Sequence, residues 1–385
     1  MRAYLDHAAT TPMRPEAVEA MLPFLTDRFG NPSGSHAESR RARLAIDDAR
    51  EQVATLLGAD LGEVVFTGSG TEADNLAVTG VLAGLAHSGP DQLGPLVCTA
   101  MEHHAVLNTF RAAADRYGGE LREVGVTRDG VVDLHALSVA CTTDVALVSV
   151  MAVNNEIGTV QPIADVARLV RRRSPRAVLH TDAVQAVPWL DTAVWSELVD
   201  LFSVSAHKFG GPQGVGALVV HGGTPLGPVI HGGGQERERR SGTHNVAGIV
   251  AMASALAATV DDRPATVDRV ATLRDRLVDG LVAIVSEAHE TGDRGHKVAG
   301  NAHLRFVGLE SEALLVLLDE AGVAASAGAA CSSGAVGPSH VLLSMGFSAE
   351  QAGTGIRFSL GRTTTDAEID HALAVVPTAV AQLRR

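Results

Sequence analysis

The chain has 385 residues, more than one hydrophobic core usually serves, so we expect one large domain and one smaller domain. Apolar residues make up 46% of the sequence, which excludes an intrinsically disordered protein. The net charge of −13, from 31 Lys and Arg against 44 Asp and Glu, argues against nucleic acid or an anionic membrane as a direct partner.

Targeting signals and cysteine usage favour a cytoplasmic protein. The N-terminal stretch MRAYLDHAATTP contains an acid and a proline within its first 12 residues, so no signal peptide is predicted. The most apolar run, residues 246–260, is shorter than the roughly 20 residues that a bilayer span needs. Three cysteines are too few for a disulfide framework and suit a reducing compartment. Cys98 and Cys141 lie in apolar stretches and are interpreted as small buried residues, whereas Cys331 stands among glycines, alanines and serines.

From about residue 63 onward, short apolar runs rich in β-branched residues alternate with longer amphipathic segments. This alternation predicts strands buried on both faces and joined by helices, hence a mostly parallel α/β sheet. The predicted strands are EVVFT, PLVCTA, VALVSVM, AVLHTD, LFSVSA and GALVV, and the predicted helices are 37–57, 71–85, 163–172 and 246–260.

The pattern changes after about residue 261. A helical stretch over 267–287 is followed by AHLRFVG, a helix over 311–321, the Cys331 stretch, IRFSL and a closing helix from Thr365. This order suits a small α+β domain. We therefore predict a large domain over residues 15–260 and a small domain formed by residues 1–14 and 261–385, which carries Cys331.

The stretch VVFTGSGTEADN predicts a strand, a glycine turn and the start of a helix. Glycines let the backbone approach an anion, and free helix N–H groups favour phosphate. Residues 68–73 formally match the dinucleotide pattern G-x-G-x-x-A, but no strand-end acid follows about 20 residues later and there is no Walker lysine. The stretch indicates a phosphate cradle, with a plain tight turn as the alternative.

Two ionisable residues follow consecutive predicted strands. Asp182 ends AVLHTD, and Lys208 follows LFSVSA, flanked by Ser205 and His207 before a glycine-rich turn. A partly desolvated lysine can have a lowered pKa and form a Schiff base. Together with the phosphate cradle, this pair suggests pyridoxal phosphate, with Asp182 on the pyridinium nitrogen. A zinc site at His180 and Asp182 lacks a third ligand at recognisable spacing, so no metal is predicted.

Further polar residues follow other predicted strands. EHHAVL offers His103 and His104, either as surface residues or with one ring stacked on a cofactor and moving a proton. VNNEIG supplies the amides of Asn154 and Asn155, and IRFSLGR supplies Arg357, which suits a bidentate grip on a carboxylate. The charged run GGGQERERRSGTHN is either a solvated loop or a further anion contact.

Ten motifs occur in the order seen in the cysteine desulfurases, which the sequence resembles over about residues 4–382. They are LDHAATTP, FGNPSGSH, GTEADN, EHHAVL, VNNEIG, HTDAVQ, SAHKFGGPQGVGAL, GGGQERERRSGT, AACSSG and IRFSLGR. Those enzymes are class-V aminotransferases of pyridoxal 5'-phosphate fold type I. The resemblance implies an α/β large domain, with a mostly parallel seven-stranded sheet flanked by helices, and a small α+β domain.

The resemblance also implies roles for single residues in binding the cofactor. Lys208 would be the Schiff-base lysine, Asp182 would hold the ring nitrogen, Gln185 the ring hydroxyl, and His103 would stack on the ring. Phosphate contacts would come from Gly70, Thr71, Ser205, His207 and the partner subunit's Thr243. The active unit would therefore be a homodimer with its active sites at the subunit interface.

On the substrate side, the resemblance implies that Asn155 and Arg357 hold the carboxylate, with Asn155 also in the cofactor site, and that Cys331 is the nucleophile. L-Cysteine would be converted to L-alanine, with its sulfur captured as a persulfide on Cys331. The sulfur would pass to an acceptor or scaffold protein for iron–sulfur cluster assembly or another sulfur-transfer pathway. The alternatives are a selenocysteine lyase or other lyase of the same fold, an inactive sulfur carrier and, last, a dinucleotide-dependent oxidoreductase.

Three details refine the resemblance. SAGAACSSGAVGPSHVLLSMG is similar to the long-loop (NifS/IscS) group, which predicts a mobile segment over about residues 327–337. Ala206 stands where glycine is common, a change that should matter little. The sequence ends at Arg385 without the C-terminal extension through which some members dock a scaffold, so the acceptor stays open.

Overall fold

A computed structural model of the chain describes residues 1–89, 93–328 and 337–385. Cys331 and most of the predicted mobile segment lie outside the described residues. The strands are β1 Ala3–Tyr4, β2 Val64–Thr67, β3 Leu96–Thr99, β4 Leu121–Val124, β5 Leu147–Ser149, β6 Val178–Asp182, β7 Leu201–Ser205, β8 Gly216–Val220, β9 Ala288–Glu290, β10 Asn301–Phe306, β11 Val323–Ala324 and β12 Gly355–Ser359. The helices are α1 Pro15–Leu25, α2 Ala37–Leu57, α3 Gly70–Asn75, α4 Val81–Ser88, α5 His104–Tyr117, α6 Leu134–Ala140, α7 Ile163–Arg173, α8 Val246–Ile284, α9 Ser311–Glu320, α10 His340–Ser344, α11 Ala349–Ala352 and α12 Asp366–Leu383.

The main sheet has seven strands within the described residues, in the order β2-β8-β7-β6-β5-β3-β4. β8 runs antiparallel to both of its neighbours, and the remaining pairs are parallel. The predicted α/β architecture with a mostly parallel sheet is therefore confirmed. Sequence reasoning missed β4, because this edge strand carries the half-buried Arg122 and the exposed Glu123 and so shows no apolar run.

The predicted helix over 71–85 is present, but it contains a change of winding. α3 continues through a π-helical turn, Leu76–Gly80, into α4. The start of α3 is the part that concerns the site, because it abuts the carboxyl ends of the sheet strands.

The prediction of separate helices over 246–260 and 267–287 is wrong, because α8 runs through both as one helix with Pro264 inside it. Residues 249–256 share an apolar cluster with residues of α1 and α2, and residues 270–281 share another with residues of α12. Between Thr259 and Val270 the helix has no buried residue, so the apolar periodicity lapses there and the sequence shows two segments. The predicted domain boundary at 260/261 falls inside this helix and stays a prediction.

The C-terminal part contains a three-stranded antiparallel sheet, β12-β10-β9, and a parallel pair, β1-β11. Ala3 and Leu5 are fully buried in the same apolar cluster as residues of β10, β12 and α12. The N-terminal segment therefore packs with the C-terminal part before it crosses to the main sheet.

Among the residues that the structure describes, no helix combines the length and the apolar character needed to cross a membrane.

Candidate active site

The site lies where β6 and β7 end. These strands are parallel neighbours, with Asp182 paired in register with Ser203, so their carboxyl ends meet at one edge of the sheet. Asp182 is the last residue of β6, and Lys208 ends the short 3₁₀ turn that follows β7. The sheet register therefore brings together the acid and the lysine that the sequence predicts as a pair.

The turn that carries Lys208 depends on small residues. A side chain at Gly211 would place its Cβ 2.7 Å from the Cβ of Ala206, and Gly210 has a positive φ of 87°. Ala206 itself is fully buried. The alanine at position 206 is thus accommodated because Gly211 leaves it room.

The Lys208 amine binds the N-terminal segment. Its Nζ donates hydrogen bonds to the carbonyl oxygens of Ala8, at 2.6 Å, and Ala9, at 2.9 Å. The amide of Gln185 donates to the Ala8 oxygen as well, at 2.8 Å. The LDHAATTP motif thus forms one wall of the site and orients two of the predicted cofactor-binding residues.

Two buried carboxyl groups lie at this edge. Asp182 accepts one hydrogen bond from the Val184 N–H, at 2.9 Å, and burial raises its pKa to about 6 although the nearby Lys208 lowers it. In Asp74 on α3, Oδ1 has no hydrogen-bond partner, and burial together with the charge of Asp182 raises the pKa well above its usual value. Burial therefore disfavours the charged form of both carboxyl groups, and the charge of Asp182 adds to this effect at Asp74.

His180, considered above as a zinc ligand, belongs to a buried polar network. Its Nδ1 lies 2.9 Å from Ser149 Oγ and its Nε2 lies 3.0 Å from Ser203 Oγ. The same Nε2 is 3.7 Å from the Asp74 carboxylate. Burial lowers the pKa of His180 to about 3, so the ring is neutral and adds no charge beside the two carboxyl groups.

His103 faces the same edge from the start of α5. Its Nδ1 accepts a hydrogen bond from the Ala105 N–H, at 3.1 Å, so the neutral ring carries its proton on Nε2. Burial, followed by the charge of Lys208, lowers its pKa to about 4. One ring nitrogen lies within 4.8 Å of carboxylate oxygens of Asp74 and Asp182. A neutral histidine here can stack on a ring or move a proton.

The predicted phosphate cradle lies against the end of β7. α3 begins at Gly70, where an added Cβ would lie 2.8 Å from Val184 and 3.1 Å from the Ser205 side chain. The glycine therefore lets a helix N-terminus abut the end of β7, where free N–H groups favour an anion. Thr71 is exposed beside Gly70.

His207 completes this region. Its Nδ1 lies 3.2 Å from Thr10 Oγ1. Burial, followed by the charge of Lys208, lowers its pKa to about 4, so it is neutral at physiological pH. It can therefore donate a hydrogen bond to an anion without adding a charge.

Arg357 and Asn155 are in contact. Arg357 Nη1 donates to the Asn155 backbone oxygen at 2.9 Å, and Nη2 donates to the Asp6 carboxylate at 2.8 Å. The guanidinium is buried and its Nε lacks a hydrogen-bond partner. The predicted carboxylate-binding pair is thus brought together, with Asp6 as a counter-charge that the sequence did not indicate.

Thr243 is exposed and lies beyond a strained turn. Residues Glu236–Glu238 all have positive φ, between 51° and 65°, which is uncommon for residues other than glycine. Glu236 is held by Arg50 at 2.6 Å and by His244 at 2.7 Å. Burial raises the pKa of Glu236, but the hydrogen bonds from His244 and Arg50 outweigh it and the pKa falls to about 2.

Sequence reasoning assigned no role to three buried or half-buried acids that the structure places at the site. Asp6, Asp74 and Glu156 all occur inside motifs quoted above. The sequence signal for these residues was an acid inside a short motif between apolar runs. No rule of spacing along the chain relates the three positions to one another.

The aminotransferase class-V family model matches residues 3–372 of the chain. The chain is 45% identical to the IscS-like cysteine desulfurase of Mycobacterium tuberculosis (strain ATCC 25618 / H37Rv), over 100% of this chain and 97% of that protein. It is 40% identical to the cysteine desulfurase IscS of Clostridium botulinum (strain Hall), over 100% and 95%. A solved NifS-like protein matches with a TM-score of 0.92 and 35% identity, each chain being covered completely. The chain therefore belongs to the class-V aminotransferases and, within them, to the cysteine desulfurases.

Proposed function

We propose that this protein binds pyridoxal 5'-phosphate and converts L-cysteine to L-alanine, with the sulfur captured as a persulfide on Cys331. The observation that carries the proposal is that Asp182 and His103 lie together at one edge of the sheet, where the charge of Lys208 acts on both. Full-length similarity to cysteine desulfurases supports the choice of reaction.

The residues of the site fit the cofactor. Asp182 is a buried carboxylate with one backbone hydrogen bond, and a buried charge of this kind needs a cationic partner such as a pyridinium N–H. Phosphate contacts would come from the α3 N-terminus with the Thr71, Ser205 and His207 side chains, and Gln185 would reach the ring hydroxyl. When bound, the cofactor supplies a sink for the electrons released at the substrate Cα.

The chain's own residues would hold the substrate and move its protons. Asn155 and Arg357 would bind the carboxylate. The Lys208 amine would take and return the proton at Cα. His103, neutral at pH 7, would help to deprotonate the attacking thiol.

The sulfur step is a displacement at sulfur. The Cys331 thiolate attacks the substrate Sγ, and the S–S bond forms as the Cβ–Sγ bond breaks. The electron pair left on the carbon skeleton is protonated, which gives L-alanine and a Cys331 persulfide. A second protein would then accept this sulfur, in iron–sulfur cluster assembly or another sulfur-transfer pathway.

Assembly and location complete the proposal. We place the partner subunit's Thr243 at the phosphate, so that the active unit is a homodimer. The strained turn before Thr243 supports this placement, because the buried ion pair of Glu236 and Arg50 holds the segment in one conformation. The unpaired, buried Cys98 and Cys141 support a reducing, cytoplasmic compartment.

The test is the reaction itself. Purified protein loaded with pyridoxal 5'-phosphate is given L-cysteine and a thiol reductant, and we expect L-alanine and sulfide in equal amounts. The C331A variant should bind the cofactor normally but form neither product. Absence of alanine from the unaltered protein would refute the proposed reaction, and a strong preference for L-selenocysteine in competition would favour the lyase alternative.

A further inference from the structure

Glu156 is a buried acid for which the proposed reaction has no use. It follows Asn155 in the VNNEIG motif and is 2% exposed. Burial raises its pKa, against the opposing influence of a hydrogen bond from Ser339 and of the charges on Arg357 and His104. Burying an acid costs free energy unless its carboxyl group is hydrogen-bonded or paired with a cation.

The Glu156 side chain contacts two residues that bracket Cys331 in the sequence. The Ser339 hydroxyl donates a hydrogen bond to Oε2, at 2.5 Å. On the other side, a Cβ added at Gly328 would lie 2.5 Å from the same oxygen, so the Gly328 backbone packs directly on the carboxyl group. Ser339 and Gly328 are both buried. One carboxyl group therefore contacts both ends of the segment that carries the nucleophile, through a hydrogen bond at Ser339 and through packing at Gly328.

Neighbouring contacts tie both ends to the substrate site. Before Gly328, Ser326 exchanges two backbone hydrogen bonds with Arg357, at 3.1 and 2.7 Å. After Ser339, His340 lies 2.9 Å from the Glu102 backbone oxygen, and its ring centroid is 4.4 Å from that of His104. The ends of the segment are thus held beside the predicted carboxylate-binding arginine and beside the start of α5.

We propose that Glu156 is a positioning residue for sulfur capture: its carboxyl group fixes both ends of the segment that bears Cys331 at the substrate site. The proposal rests on the proposed function. Holding both ends close to the site raises the effective concentration of the thiol there, whereas a released end lets the chain explore a larger volume.

The backbone and the side chain of Glu156 make different contacts, so a role in positioning Cys331 can be distinguished from a role in binding the substrate. Its backbone N–H donates to the Asn154 side chain at 2.9 Å, and its backbone oxygen accepts from the Asn301 amide at 3.0 Å. These bonds orient the chain around Asn155 and do not involve the carboxyl group. A change of the Glu156 side chain should therefore affect sulfur capture more than binding of the amino acid.

The experiment measures one turnover of the cofactor-loaded protein without reductant, as the rate of alanine formation after addition of L-cysteine. E156A should slow this rate about 10-fold, with an unchanged KM for L-cysteine and an unchanged cofactor absorbance. E156Q should restore most of the rate, because an amide oxygen can still accept the Ser339 hydrogen bond. A rise in KM alone, or E156Q as slow as E156A, would overturn the proposal.

Glycine variants test the same contact without removing the acid. G328A should push the carboxyl group aside and slow the rate about as much as E156A, whereas G337A should have a much smaller effect because none of the described residues lies within 4 Å of its added Cβ. In the E156A background the carboxyl group is gone and only the Cβ of residue 156, 3.2 Å away, stays near the added Cβ, so G328A should cost little more. Effects that multiply in the double variant would contradict the proposal.

A second measurement does not depend on turnover. Cys98 and Cys141 are buried, so alkylation by iodoacetamide under native conditions reports mainly on Cys331. E156A should alkylate several-fold faster than the unaltered protein, and E156Q should resemble the unaltered protein. Equal alkylation rates in all three would overturn the positioning role, whereas absence of alanine from the unaltered protein would instead refute the proposed function.

Discussion

Two parts of the site are built in different ways. Asp182 and Lys208 lie at the ends of paired strands, and the register of the sheet sets their separation. Glu156, Gly328 and Ser339 come from distant loops, and only side-chain and packing contacts hold them together. Removing one side chain at the strand ends leaves the positions of the strands unchanged. Removing the carboxyl group of Glu156 breaks the contacts that hold the second group of residues together.

The largest expected effect tests the part set by the sheet. In K208A, alanine formation should fall by about 10³-fold or more, because the group that moves the Cα proton is gone. The midpoint of thermal unfolding should fall only modestly, because the Ala8 and Ala9 carbonyl oxygens lose a donor while the sheet keeps its register.

K208R is the matched control for K208A. It keeps a cation beside the Ala8 and Ala9 carbonyl oxygens but cannot take the proton at Cα. It should be as inactive as K208A, and substantial alanine formation by either variant would show that Lys208 does not have the proposed role.

A smaller effect concerns the stability of the cofactor-free protein. The pKa of Asp182 is raised to about 6 in the folded state, so its contribution to stability is present below pH 4 and is lost as the pH rises through 6. The two-unit shift corresponds to a destabilisation of up to about 3 kcal/mol at neutral pH. D182N should therefore unfold at higher urea concentration than the unaltered apoprotein at pH 7, while its affinity for pyridoxal phosphate falls.

The comparison at pH 4 serves as the control for D182N. Asp182 is protonated there in the folded state, so the difference in stability between D182N and the unaltered apoprotein should nearly vanish. A difference that is equally large at both pH values would show that burial of the charge is not its cause.

The smallest expected effect concerns the turn after β7. A206G should lower the free energy of unfolding by about 1 kcal/mol, because it removes a buried methyl group and adds backbone freedom. Alanine formation should stay within about two-fold of the unaltered rate, since the strand ends keep their register. A large loss of activity would show that the turn, in addition to the sheet, sets the position of Lys208.

Much of the fold could be predicted because its strands are local apolar runs. The predicted strands of the main sheet are present, and the helices over 37–57 and 163–172 were placed to within one residue. The edge strand β4 was missed because its exposed positions are charged, and α8 was divided because its middle has no buried face. The periodicity of apolar residues reports which positions are buried. It therefore fails to reveal a strand or a part of a helix that is exposed to solvent.

Only some of the side-chain contacts in the candidate site could be predicted from the sequence. Asp182 and Lys208 could be paired from the sequence because parallel neighbouring strands end at the same edge. No comparable rule joins Glu156 to Gly328 and Ser339, and the counter-charge that Asp6 supplies to Arg357 connects opposite ends of the chain.

The sequence by itself determined six of the seven strands of the main sheet, the order of the motifs and the family, because these depend on residue type and on spacing along the chain. Tertiary structure alone decided which acids are buried beside one another, which histidines are neutral and what contacts the ends of the Cys331 segment. The physical reason is that pKa values and contacts of this kind depend on burial and on neighbours distant in sequence. Residue type and spacing do not report either quantity.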